Sequence, residues 1–172
     1  MDESFFETML STLGPEIFAF LWRIVGDGPE AEDCLQDTFL RAYKAFPRLE
    51  GEDVNHRAWL YAIANNVART HLGRRKKHDA RNVILDEQRS DGGASVERIV
   101  ERRQELETLR EAVHALPYRQ QAALILRKYH GLEYAEIAAV LGGSHAAARA
   151  NVYQGLKRLR KQFSYMPLVE ER

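Results

Sequence analysis

The chain contains a single cysteine, Cys34, so it can form no internal disulfide and no zinc site built from several cysteines. It lacks an apolar run of the roughly 18 residues that a membrane-spanning helix needs. Its first ten residues, MDESFFETML, are acidic where a secretory signal peptide would be basic. It also lacks net charge, with 25 Lys and Arg against 25 Asp and Glu among 172 residues. We therefore expect a soluble, cytoplasmic protein, and the balanced charge taken alone argues against a nucleic-acid binder.

The charges are nevertheless distributed unevenly along the chain. Residues 1–50 hold ten acids and four bases, a net charge of −6. Residues 54–82 hold seven bases and one acid, for +6, and residues 145–163 hold five bases and no acid, for +5. This asymmetry predicts a polyanionic partner for the two basic segments and a different partner for the acidic one. The alternative is three solvated helix faces without a specific partner.

Helical periodicity is the regular pattern in this chain, and no stretch alternates apolar and polar residues as a half-buried strand does. The N-terminal part predicts a helix over Glu16–Val25, with Gly14-Pro15 as its start or kink signal. A second helix should end at Pro47, and Asn55 is a plausible N-cap for a third. The sequence therefore predicts an all-α fold.

The composition changes after the third helix. Residues 79–100 are polar, contain Gly92-Gly93 and lack a sustained apolar period, which predicts a flexible linker. Helical periodicity then resumes and continues almost to the end of the chain. We predict two small helical domains, an N-terminal helical bundle at residues 1–78 and a C-terminal domain at residues 101–166.

The strongest local signal is a pair of short helices, Glu133–Leu141 and His145–Phe163, separated by Gly142-Gly143. The two glycines permit the sharp turn of a helix-turn-helix. The outer face of the second helix carries small residues, hydrogen-bonding side chains and bases, which a helix needs to read base edges in the DNA major groove. The alternative is a plain helical hairpin with a basic, solvated face. The residues of this outer face include Arg149, Ala150, Tyr153, Gln154 and Lys157.

The third helix, within residues 55–78, combines aromatic side chains, amides and a C-terminal basic run. Aromatic platforms beside a positive groove are typical of sites for single-stranded nucleic acid. The alternative places Trp59 in the core and the basic run at a helix C-terminus, where positive charge complements the helix dipole. The pattern alone leaves both interpretations open.

The residues point to no catalytic or metal site. Six histidines include no HExxH pair, and no Ser–His–Asp cluster or glycine-rich phosphate loop is identifiable. Cys34 lies on or beside the packed face of its helix, so we expect a buried thiol rather than a nucleophile. We predict that the protein is not an enzyme and needs neither a cofactor nor a metal.

From about residue 16 to residue 163 the chain resembles the bacterial RNA polymerase sigma factors of the small, two-domain ECF (extracytoplasmic function) group. The resemblance is carried by AEDCLQDTFLRAYKAF at 31–46, HRAWLYAIANNVARTHLGRRKK at 56–77 and LPYRQQAALILRKYHGLEYAEIAAVLG at 116–142. It implies a region 2-like domain at residues 1–78 and a region 4-like domain at residues 101–166. The implied partners are core RNA polymerase and promoter DNA. Family members are often held inactive by an anti-sigma protein wedged between the domains, which is a third implied partner.

The resemblance also implies roles for individual residues. Docking on the coiled coil of the polymerase's largest subunit would use Asp33, Gln36, Asp37 and Arg41. The loop Pro47–Asn55 and the third helix would capture flipped-out bases of the melted minus-ten element, and the helix residues are Trp59, Asn66, Arg69, Arg74 and Arg75. The minus-thirty-five element would be read as duplex by Arg149, Ala150, Tyr153, Gln154 and Lys157.

The chain departs from the family pattern at two places. The family's recognition helix commonly begins with a Thr-Val-Lys-Ser-Arg-like run, where this chain has AARAN at 147–151. The side chains of Ala147 and Ala150 can make no polar contact with DNA, which weakens the case for the family's typical promoter preference. Glu133 stands where a Ser or Thr usually caps the first helix of the motif. The competing hypothesis is a free-standing helix-turn-helix repressor or activator, which would bind duplex DNA as a dimer without polymerase.

Overall fold

The computed structural model describes residues 3–49, 54–81 and 97–163, and these ranges contain helices and no β-strand. The all-α prediction is confirmed. Residues 82–96 of the predicted linker lie outside the described ranges, and helices extend into the predicted linker from both sides. The helices are α1 (Glu3–Val25), α2 (Gly28–Ala45), α3 (His56–Arg81), α4 (Glu97–His114), α5 (Tyr118–Lys128), α6 (Tyr134–Leu141) and α7 (His145–Gln162), with a 3-10 helix at Phe46–Leu49.

Helix α1 runs through Pro15, so the prediction that Gly14-Pro15 is a start or kink signal is wrong as to a start: the helix begins at Glu3 rather than at Glu16. A proline inside a helix removes one backbone hydrogen bond and costs about 3 kcal/mol. The turns before it are held by packing, because Phe6 and Met9 are buried and the ring centroids of Phe6 and Phe46 lie 4.9 Å apart. Each such buried side chain contributes about 1.5–3 kcal/mol, which offsets the cost of the proline.

Helices α2 and α3 begin at side-chain caps. The Asp27 carboxylate accepts a hydrogen bond from the backbone N–H of Glu30 at 2.9 Å. The Asn55 side-chain oxygen accepts one from the backbone N–H of Ala58 at 3.0 Å, which confirms the predicted cap of the third helix. A cap of this kind contributes about 1 kcal/mol. The core of the N-terminal bundle includes Ile17, Phe20, Leu21, Leu60, Ala64 and Val67.

The C-terminal domain is built from α4 to α7, and its last two helices form the predicted helix-turn-helix. Gly142 ends α6 in the left-handed region with φ +67°, a conformation that glycine adopts at little cost. The Arg119 guanidinium donates to the Gly142 carbonyl at 3.1 Å and so ties the turn to α5. The core of this domain includes Leu116, Ile125, Leu126, Leu132, Ile137, Val152 and Leu159.

The two domains pack directly against each other, with α6 on α3 and α5 on α1. His130, in the loop after α5, makes two polar contacts across this boundary. Its carbonyl accepts a hydrogen bond from Arg57 at 2.7 Å, and its Nδ1 lies 2.8 Å from the Tyr61 hydroxyl. The sequence left open how the two domains sit relative to each other, and the structure brings them together.

Burial lowers the pKa of His130 to about 4. The guanidinium of Arg23 is the next cause and also lowers the pKa; the Glu16 carboxylate opposes it, and the Arg57 guanidinium lowers the pKa further. The ordinary pKa of histidine is about 6.5. The folded protein therefore keeps His130 neutral, and the unfolded chain takes up a proton first as the pH falls.

We predict that the free energy of unfolding decreases as the pH is lowered through the window from about 6.5 to about 4. The His130→Gln variant lacks this titrating group, so its free energy of unfolding should depend less steeply on pH. The difference between the two slopes corresponds to the uptake of at most one proton on unfolding. Urea denaturation across this pH window measures both profiles. Parallel profiles for the two proteins would contradict the prediction.

Candidate protein and nucleic-acid interfaces

The outer face of α2 carries the residues that the sequence suggested for docking. Asp33 and Gln36 are exposed. Arg41 pairs with Asp37 through two hydrogen bonds, Nε to Oδ1 at 3.1 Å and Nη2 to Oδ2 at 2.9 Å. Both side chains of this pair are nearly half exposed, so the pair contributes at most about 1 kcal/mol to stability. These charges are therefore available to a partner.

Two exposed apolar side chains share that face and were missed by the sequence reasoning. Leu40 is 60% exposed and Tyr43 is 59% exposed. At about 100° per residue they fall within about 80° of Asp33 around the helix axis. Large apolar side chains that stay exposed in a patch are typical of protein interaction surfaces. Helical phase was the signal that could have found them.

Cys34 lies on the packed side of α2, next to the docking residues. Its thiol is buried, which confirms the expectation from the sequence. Burial raises the pKa of this thiol to about 11, and the neighbouring carboxylates of Glu30, Asp37 and Asp33 act in the same direction. A thiol with so high a pKa stays protonated and is a poor nucleophile at neutral pH.

Four of the five suggested α3 residues share one face of the helix. Trp59, Asn66, Arg69 and Arg74 lie within an arc of about 140° at about 100° per residue. The last three are exposed. Trp59 is partly buried, with its ring centroid 6.4 Å from that of Phe46. The tryptophan ring is thus neither fully in the core nor fully on the surface. The sequence left open a core position and a platform for single-stranded nucleic acid, and the ring lies between the two.

Arg75 lies on the other side of α3. Its Nη1 donates to the Glu30 carboxylate at 3.0 Å and to the Val25 carbonyl at 3.2 Å. His71 also contacts the same carboxylate oxygen, at 3.0 Å. The structure therefore holds Arg75 at the junction of α1 and α2, away from the face of the other four residues. In the sequence it is one member of a basic run, and composition alone does not separate it from its neighbours.

Arg74 faces the docking residues across a cleft between α2 and α3. This cleft has a volume of about 180 Å³, and its lining includes Asp33, Asp37, Arg41 and Arg74. The acidic face of α2 and the basic face of α3 therefore meet at one edge.

The outer face of α7 is exposed as the sequence predicted. Ala148 and Val152 are buried against the domain, whereas Tyr153 is 58% exposed. The five candidate reading residues lie within an arc of about 140° at about 100° per residue. The exposed residues on this arc are Arg149, Ala150, Tyr153, Gln154 and Lys157.

Caps hold both helices of the helix-turn-helix. The Glu136 carboxylate accepts from the backbone N–H of Glu133 at 2.8 Å, and the Glu133 carboxylate pairs with Arg127 at 3.1 Å. At the start of α7 the Ser144 hydroxyl accepts from the backbone N–H of Ala147 at 3.1 Å. The start of α6 is thus stabilised without the Ser or Thr that the family commonly has there.

The described ranges contain no group of three or more His, Cys, Asp or Glu side chains that could hold a metal ion. Within the same ranges no helix is both long enough and apolar enough to cross a membrane.

We predict that Ser144→Ala destabilises the C-terminal domain by about 1 kcal/mol, because the backbone N–H of Ala147 loses its partner at the start of α7. Ser144→Asp restores an acceptor and should return the stability to within a few tenths of a kcal/mol of the parent. Thermal unfolding followed by circular dichroism measures both variants. Equal stability of the alanine variant and the parent would show that the cap contributes nothing.

Comparison with known proteins gives matches over both domains. Residues 9–78 match the family Sigma-70 region 2, and residues 106–159 match Sigma-70, region 4. The chain is 30% identical to the RNA polymerase sigma-H factor of Pseudomonas aeruginosa, over 99% of this chain and 91% of that protein. It is 26% identical to the ECF RNA polymerase sigma-E factor of Salmonella typhimurium, over 89% and 83%. The sigma factor RpoE from Bartonella quintana, solved in complex with the anti-sigma factor NepR, shares the fold with a TM-score of 0.72 and 23% identity, over 93% and 97% of the two chains.

Proposed function

The chain belongs to the sigma-70 family of RNA polymerase sigma factors, in its ECF group, and from that premise we propose how its exposed faces divide the work of promoter recognition and transcription initiation. Family membership decides against the free-standing repressor or activator. A sigma factor has core RNA polymerase and promoter DNA as partners. The observation that carries the assignment of faces is that one acidic and two basic surfaces lie on three different helices.

The outer face of α2 docks on the coiled coil of the polymerase's largest subunit. Asp33, Gln36, Asp37 and Arg41 supply polar contacts there. The exposed Leu40 and Tyr43 supply the apolar contact area that a stable protein interface needs at its centre. Helix α2 carries four acids and two bases, and this excess of negative charge favours a basic partner surface over DNA.

The outer face of α3 captures the melted minus-ten element. Extruding a base from the duplex costs a few kcal/mol, which stacking and hydrogen bonds to the flipped base offset. Trp59 offers a partly exposed ring for stacking, and Asn66 offers an amide for hydrogen bonds to base edges. Arg69 and Arg74 contact phosphates. Arg75 contributes through the local positive field, because its guanidinium is already bonded to Glu30.

The outer face of α7 reads the minus-thirty-five element as duplex in the major groove. Gln154 and Arg149 are of the types that make bidentate contacts, glutamine to adenine and arginine to guanine. Ala150 allows close approach of the helix backbone to the bases. Tyr153 meets a thymine methyl group or a phosphate, and Lys157 contacts a phosphate.

We predict that Asp37→Lys weakens binding to core polymerase by about tenfold, equivalent to about 1.4 kcal/mol. The substitution reverses a charge on the docking face and replaces its ion pair with Arg41 by a repulsion. Titration of labelled protein with core polymerase measures the affinity. Glu7→Lys makes the same charge change at an exposed position of α1 and serves as the control. Unchanged affinity of a normally helical Asp37→Lys protein would remove this face from the docking surface.

We predict that Gln154→Ala relaxes the preference at one upstream base pair by about 1–3 kcal/mol. The measurement is promoter selection by the reconstituted holoenzyme from a library randomised in the minus-thirty-five region. Gln162→Ala, at the exposed end of the same helix, should leave every base preference unchanged. Identical preferences for Gln154→Ala and the parent would exclude Gln154 from the reading residues.

A further inference from the structure

Four rings form a connected cluster where α1, the 3-10 helix and α3 meet. The Phe46 ring is its centre. The centroid of that ring lies 6.1 Å from Phe5, 6.3 Å from His56 and 6.4 Å from Trp59. The rings of Phe5 and His56 also contact each other, edge to face, at 5.4 Å. We call these four residues the aromatic cluster, and the proposed function uses only Trp59 among them.

Phe5 is the exposed end of the aromatic cluster. Phe46 is 9% exposed and Trp59 is partly buried, whereas Phe5 is 48% exposed. The next residue, Phe6, is buried and packs the start of α1 on the core. An aromatic ring that stays in water at the end of a cluster of rings is typical of an interaction surface. Phe5 also precedes residues 9–78, which match Sigma-70 region 2, so the family match gives it no role.

The ring of Phe5 lies on the side of α3 that carries Trp59. His56 and Trp59 are three residues apart, so at about 100° per residue they lie within about 60° of each other around the axis of α3. Phe5 contacts the ring of His56 directly and is joined to that of Trp59 through Phe46. The aromatic cluster therefore extends the stacking surface of Trp59 from α3 onto α1.

The chemistry of an exposed phenyl ring suits the bases of a single strand. Unstacked bases stack on aromatic side chains, and this contact tolerates any base because every base has a π-face. The Phe5 side chain has no hydrogen-bonding group, so it can add affinity for a base without selecting which base is bound. The rings of Phe46 and His56 hold it in place before a strand arrives, which reduces the entropy lost on binding.

The charges around Phe5 allow a nucleic-acid strand to approach. His56 is the first residue of α3, where the helix dipole places partial positive charge that attracts phosphates. The exposed Glu7 lies about 160° from Phe5 around the axis of α1, so its carboxylate is directed away from the ring. The Glu136 carboxylate, at the same end of α3, already accepts a hydrogen bond from the Asn55 amide at 2.9 Å.

We propose that Phe5 is a second stacking platform for bases of the melted promoter strand. This proposal rests on the proposed function, because the base on Trp59 sets where the strand runs. The rings of Phe5 and Trp59 both lie within 6.4 Å of the Phe46 centroid, so they are at most about 13 Å apart, which spans about four nucleotides at about 3.4 Å each in a stacked strand. The base on Phe5 therefore lies within about four nucleotides of the base on Trp59.

A base-removal scan of the single strand tests this proposal. The reconstituted holoenzyme binds non-template-strand oligonucleotides that cover the minus-ten region of a promoter selected by the parent holoenzyme, each with one abasic site. For the parent, loss of the base on Phe5 should weaken binding by about tenfold. Phe5→Leu keeps an apolar side chain against Phe46 but removes the ring, so the same abasic site should weaken its binding by less than about twofold. Phe5→Tyr keeps the ring and should respond like the parent.

Two further variants guard the result. Phe5→Met also keeps an apolar side chain without a ring, so it repeats the test if Phe5→Leu does not fold. Trp22→Leu is the matched control for loss of an exposed ring, because Trp22 is 39% exposed on the same helix and lies about 25 Å from Phe5 at about 1.5 Å per residue. The control should keep the parent's dependence on every base. Circular dichroism and titration with core polymerase should give parent values for every Phe5 variant.

Three results would overturn the proposal, and they are distinguishable. If a normally helical Phe5→Leu holoenzyme keeps the parent's dependence on every base, Phe5 is not a platform, and the proposed function stands. If Phe5→Leu instead weakens binding to core polymerase with unchanged base dependence, Phe5 belongs to the surface that docks on the polymerase. If binding by the parent holoenzyme depends on no base of the minus-ten region, the proposed function fails, and the second platform fails with it.

Discussion

The helical phase of α3 is the constraint on which the rest of the structure depends. Along this one helix, Leu60, Ala64 and Val67 point into the N-terminal core, and Tyr61 and Asn65 point to the C-terminal domain. The exposed remainder of the helix surface carries the candidate DNA-binding side chains. Because successive residues are about 100° apart, a shift in the helical phase would move residues between these three faces and disrupt the core. Fold, inter-domain contact and candidate DNA face are therefore set by a single register.

The distribution of charge follows from the same separation of faces. Four of the ten acids of residues 1–50 lie on α2, whereas the basic segments carry their charges on α3 and α7. The net charge of zero is the sum of these opposed surfaces. A protein with so little overall positive charge gains little from non-specific attraction to DNA. We therefore expect it to bind promoter DNA poorly alone and well as part of the polymerase.

Much of the local structure could be predicted because it depends on neighbours in the chain. The cap at Asn55 and the turn at Gly142 follow from side-chain chemistry within a few residues. The start of α1 could not be predicted, because packing of residues distant in sequence outweighs the break expected at Pro15. The hydrogen bond from Arg57 to the His130 carbonyl joins residues 73 positions apart, and helical periodicity in the sequence does not predict such a pair. The residues of the candidate faces could therefore be predicted from the sequence, whereas the position of one domain relative to the other could not.

This chain is a sigma factor, and we propose that its candidate DNA-binding faces act within the polymerase. Run-off transcription on genomic promoter fragments, with core polymerase in the presence and absence of this protein, tests it most directly. We expect discrete run-off transcripts only when both components are present, with little promoter binding by the protein alone. Transcript levels equal to those of core polymerase alone, together with tight specific DNA binding by the isolated protein, would contradict it.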